Sequence, residues 1–148
     1  MKKHSPLILI LLSLILMTGC SPIKEMGKMV LGTSTRALER ERTNAIRKVF
    51  DCSFDDCYEA VLKLARTQEF AGEENEEGHY DIFQKDHFKG YVVVMGVTGN
   101  VDTTEVGIFL TSRSRFITEI DISSLSSSAK RTVADVLFKE LAVLYTEQ

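Results

Sequence analysis

Between Tyr80 and Ser124 the chain reads as four runs, "YDIFQK", "YVVVMGV", "TEVGIFLTS" and "FITEIDISS", joined by "DHFKG", "TGNVDT" and "RSR". Each run is rich in the β-branched and aromatic residues that fit a pleated, half-buried surface. Connections this short join neighbouring strands as antiparallel hairpins. In the third run Val106, Ile108 and Leu110 alternate with Glu105, Gly107, Phe109 and Thr111. In the fourth, Thr118, Ile120 and Ile122 alternate with Glu119, Asp121 and Ser123. A period of two predicts a sheet with one buried face and one mostly wet face.

Such a sheet needs a cover, and the flanking segments supply two helical patterns. Phe54, Cys57, Tyr58, Val61, Leu64 and Ala65 fall at helical spacing up to about Gln68. Ser53 is placed to cap this helix, with Asp55 and Asp56 beside its positive end. "EFAGEENEEGHY" then reads as an exposed loop. The chain closes with "SSSAKRTVADVLFKELAVLY", a helix capped by one of Ser126, Ser127 and Ser128. Its stripe is Val133, Val136, Leu137, Leu141 and Leu144, and Ala134, Phe138, Ala142 and Tyr145 widen it beyond one contact surface. With a short strand before Cys52, the order is β-α-β-β-β-β-α. The expected class is α+β, an antiparallel sheet of four to five strands with two helices on one face.

The N-terminus, "MKKHSPLILILLSLILMTGCSPIKE", sets Lys2 and Lys3 before eleven residues, Leu7 to Met17, broken only by Ser13. The apolar region of a secretory signal has ~7–15 residues, whereas a membrane-spanning helix needs about 20. Met17-Thr18-Gly19-Cys20 resembles the lipobox of bacterial lipoproteins. That resemblance implies removal of residues 1–19 and lipidation of Cys20 with a diacylglycerol and, usually, an N-acyl group. Each buried methylene contributes ~0.8 kcal/mol, so more than one chain anchors durably. Ser21 after the cysteine resembles an outer-membrane address, which places the chain in the cell envelope facing the periplasm.

Three segments follow from this reading: a signal (1–19), a lipidated start with a basic, partly helical tether (20–48), and a single α+β domain (49–148). Residues 21–48 carry seven Lys or Arg against three Glu, a net of +4, and 49–148 carry nine basic and eighteen acidic groups, a net of −9. The acidic body argues against nucleic acid as a partner, because that affinity comes from neutralising phosphates. The mixed signs of "ALERERTNAIRK" read as a solvated tether, with anionic headgroups as its alternative surface.

Taken together, "KVFDCSFDDCYEAVLKLA", the strand-rich middle and "SSLSSSAKRTVADVLFKEL" resemble small bacterial lipoproteins of unknown function. Their domain is similar to the helix-grip domains of BamC, an outer-membrane assembly lipoprotein. The resemblance implies a helix-grip-like fold and brings no catalytic signature with it.

Residues that could carry chemistry are few. Cys57 sits where a helix dipole lowers a thiol pKa, but Asp51, Asp55 and Asp56 oppose that shift and no histidine is near in sequence. Zinc takes about four N or S ligands, and with Cys20 lipidated only Cys52 and Cys57 remain, with His79 and His87 on a loop and a turn. With Ser53 as cap, Cys52 and Cys57 take the N′ and N4 positions of a hydrophobic staple. They form either a packed thiol pair or a disulfide, and export with an even count favours the bond. Glu73, Glu74, Glu76, Glu77 and Asp81 lack the spacing of a calcium loop. Ser128, Lys130 and Arg131 offer a weak anion site against a background of plain capping. No metal and no cofactor is expected.

Two functional classes remain. The first is a non-enzymatic envelope lipoprotein that binds another envelope protein or assists assembly, through a sheet edge or through Phe138, Ala142 and Tyr145 on the last helix. The second is a small-ligand or lipid-binding domain using a groove between that helix and the sheet. No paired acid and base can be named, so an enzyme is not expected.

Overall fold

The computed structural model describes residues 35–67, 80–101 and 103–148. The expected signal, Cys20, the first part of the tether, His79 and the run Glu73, Glu74, Glu76 and Glu77 lie outside the described residues. In chain order the elements are α1 (35–41), extended by a 3₁₀ turn at Arg42–Asn44, then β1 (Ile46–Phe50), α2 (Phe54–Arg66) and β2 (Asp81–Asp86). After these come β3 (Tyr91–Met95), β4 (Val106–Ser114), β5 (Ile117–Ser123) and α3 (Ser127–Leu144).

The fold is α+β, and the described residues form a five-stranded antiparallel sheet of order β1-β5-β4-β3-β2 and three helices. β2 to β5 follow one another as hairpin neighbours, as the short connections require. β1 pairs instead with the far side of β5, in the register Ile46 opposite Ile122 to Phe50 opposite Thr118. The path from β1 to β2 therefore crosses the whole sheet. It carries α2 over one face, beside α3 on the β1 and β5 side. Val92, Val94, Ile108, Ile120 and Ile122 meet Val61, Val133, Leu137 and Leu141 there in one continuous core.

Both caps sit as the sequence suggests. The Ser53 side chain accepts from the Asp56 amide at 3.2 Å and donates to the Asp56 carboxylate at 2.6 Å. The Ser126 hydroxyl accepts from the Ala129 amide at 3.2 Å. Gly90 closes the β2–β3 turn with φ +68°, where a Cβ would lie 2.5 Å from the Leu110 carbonyl oxygen. The last residues shield part of the outer edge of β1. The Asp51 amide donates to the Thr146 carbonyl at 2.9 Å, and the Gln148 amide donates to that of Val49 at 3.0 Å. Covering a strand edge in this way removes a template for unwanted pairing.

The boundary of the domain falls earlier than expected. The compact unit runs from Thr35 to Gln148, so residues 35–48, read from sequence as tether, belong to the fold. The reason lies on the other face of the sheet. Leu38 of α1, only 2% exposed, packs with Tyr91, Val93 and Phe109 in a second apolar cluster. Gly107 leaves the room this needs, since a Cβ there would meet the Phe109 ring at 2.5 Å and Leu38 at 3.3 Å. The face expected to be mostly wet is thus partly covered: Glu119, Asp121 and Ser123 are all buried.

Candidate functional site

The cysteine pair forms at the start of α2. With Ser53 as the cap, Cys52 and Cys57 lie one residue before it and four after, their Cα atoms 5.9 Å apart, and their sulfurs are joined as a disulfide. Both residues are buried, and the Thr118 hydroxyl donates to the Cys52 carbonyl at 3.0 Å, tying the staple to β5. His87 on the β2–β3 turn leans over the same helix start. Its Nε2 is 2.9 Å from an Asp55 oxygen, and its ring stands edge-on to Phe54 and Tyr58. A bonded, buried sulfur pair is no nucleophile, and the site is one of local packing. Among the described residues, no three His, Cys, Asp or Glu side chains are placed to hold a metal ion.

The three residues singled out on the last helix do not share a surface. Phe138 is 4% exposed, its ring 5.9 Å from that of Phe50, whereas Ala142 is exposed and Tyr145 half-buried. Val133, Leu137 and Leu141 are buried to 1% or less in one core with Ile120 and Ile122, so the helix–sheet interface is filled at these positions. Beside this interface, open space lies between α2 and α3. There a groove of about 520 Å³ runs along Asp56, Glu59, Ala60, Lys63, Leu64 and Thr67 of α2 and its C-cap. Its other wall is Glu140, Val143, Leu144 and Tyr145, and the Tyr145 hydroxyl donates to the Asp56 carbonyl at 3.4 Å. Val143 is 78% and Leu144 57% exposed.

Leu144 belonged to the core stripe by spacing. Helical periodicity records which side a residue is on, not where the neighbouring surface stops, and the helix outlasts its packing against the core at Leu141.

The candidate anion site is not assembled. Lys130 Nζ donates to the Asn44 carbonyl at 2.6 Å, fastening the 3₁₀ turn to α3, while Ser128 and Arg131 are exposed. The Ser126 oxygen already occupies a first-turn amide.

A cluster that sequence reasoning missed lies on the α1 face. Asp121, 1% exposed, accepts from Arg42 Nη2 at 2.8 Å and from Arg47 Nε at 2.5 Å. Arg47 Nε lies 3.4 Å from Glu119, and Arg113 forks onto Glu119 at 2.6 and 2.7 Å. The Arg42 guanidinium also stacks 4.9 Å from the Phe109 centroid and donates to the Thr111 hydroxyl at 3.2 Å. Burial pushes the Asp121 pKa up, but hydrogen bonds and charge from Arg47 and Arg42 outweigh it and hold the carboxyl below its ordinary range. The same bond, donated to Asp121, raises the pKa of Arg47. Because these carboxylates already satisfy the arginines, the cluster acts as a clasp between α1, β1 and the sheet. The available signal was the strand period, which set Glu119 and Asp121 on a face where cations were needed.

Elsewhere, burial pushes the Tyr80 phenol up to about 12. No described helix is long and apolar enough to cross a membrane. No protein-family model matches the chain, and neither does any curated protein or solved structure.

Proposed function

We propose that this chain is a lipid-anchored lipoprotein of the bacterial cell envelope, held at the membrane through Cys20, whose domain binds another envelope protein without catalysing a reaction. The anchoring part rests on the run from Lys2 to Cys20. The binding part is carried by one observation: the groove between α2 and α3, walled by the exposed Val143 and Leu144, next to a core closed beneath it. Apolar side chains gathered at a concave surface favour a protein partner over bulk water.

Two experiments test the two parts. Labelled fatty acid should be incorporated by the wild-type chain and not by Cys20→Ala, which should leave the membrane fraction; equal labelling would refute the anchor. Native isolation of the tagged chain from detergent-solubilised envelope should return one protein in stoichiometric and reproducible yield. Return of a bound lipid with no protein would instead support a ligand-binding domain.

A further inference from the structure

Resting on the protein-binding reading above, we infer that the α2–α3 groove receives a cationic amphipathic segment of the partner, about two to three helical turns long. The groove follows α2 from Asp56 to Thr67. At 1.5 Å per residue this is about 16 Å, the length of some three turns. Such a trough fits the apolar face of a helix, with anchors at i, i+3 or i+4, and i+7.

Its charge selects the sign of the guest. Among the described residues that line it, Asp56, Glu59 and Glu140 stand against one cation, Lys63. The last turn of α3, which forms the far wall, holds no basic residue. Its carbonyl end meets the amide end of α2 at Asp56, so the helix dipoles offset there and the carboxylates set the sign. Apolar contact with Ala60, Leu64, Val143 and Leu144 supplies affinity, and the carboxylates admit Lys or Arg flanks while repelling acidic ones.

The test places a photocrosslinking amino acid at Val143 in the full-length, membrane-attached chain, with Lys85 and Ser127 as control positions on other exposed surfaces. The expected adduct at 143 is a peptide with apolar residues at helical spacing and net positive charge. Its yield should fall about fivefold or more in the Glu59→Lys, Glu140→Lys double variant. Glu59 is exposed and Glu140 half-buried, and an unchanged melting temperature shows that folding is intact. A neutral or acidic peptide, or a lipid, at position 143 overturns the inference. Adducts only at the control positions overturn it while leaving protein binding standing, and no protein adduct at any position sinks both.

Discussion

At the scale of single residues, Asp121 shows what a buried charge does in this fold. Two arginines converge on it, and its pKa stands below the ordinary carboxylate value. The folded chain therefore binds fewer protons than the unfolded chain near that value. The resulting stability is fully present above about pH 4, the unfolded value, and is lost as pH falls through the lower, folded one. Asp121→Asn should cost about 2–3 kcal/mol at neutral pH in urea unfolding, and the gap to wild type should narrow below about pH 4. A gap independent of pH would mean that the charge is immaterial. Gly90 makes a second case, through its backbone. Its positive φ and the Leu110 carbonyl oxygen leave no room for a side chain, so Gly90→Ala should destabilise by about 2 kcal/mol or more. An unchanged denaturation midpoint would contradict that geometry.

Among the elements, α1 is the one whose place was not legible in the sequence. The strands were readable from their alternation and short connections, and α2 and α3 from capping serines followed by apolar spacing. Residues 35–44 contribute only one nearly fully buried apolar side chain, Leu38, to the second cluster, and are otherwise held by the Arg42–Asp121 pair and by hydrogen bonds from Thr35 to Gln84, from Ser123 to the Leu38 carbonyl and from Lys130 to the Asn44 carbonyl. One leucine among charges has no period to detect. Leu38→Ala should nevertheless cost about 2–4 kcal/mol, the range for truncating a packed leucine, as read from denaturant unfolding. A loss within 0.5 kcal/mol, as at an ordinary surface site, would return α1 to the tether. The staple at the start of α2 was legible, because the cap position fixes the relation of Cys52 to Cys57. Its loop is short, so the paired change to Ala should cost at most about 2 kcal/mol. The loss should appear as faster amide exchange confined to the first turns of α2.

Across the compact unit, the buried carboxylates and the smaller apolar cluster lie on one side of the sheet and the main core on the other. On one side Arg42 and Arg47, from the basic stretch, are drawn onto carboxylates of the acidic body, so residues 35–48 of that stretch become part of the domain. On the other side α2 and α3 seal the core and leave a groove along their outer margin. The candidate site was only half legible for the same reason. Sequence marked the surplus apolar face of α3, but Phe138 turned into the core while Val143 and Leu144 came out at the groove. The central claim, that this groove engages a partner protein, is tested most directly by quantitative co-isolation from envelope using wild type and a Val143→Asp, Leu144→Asp variant. Both positions are exposed, so the variant should keep its melting temperature while its partner yield falls tenfold or more, a loss of about 1.4 kcal/mol. Equal yields from the two proteins would contradict the account.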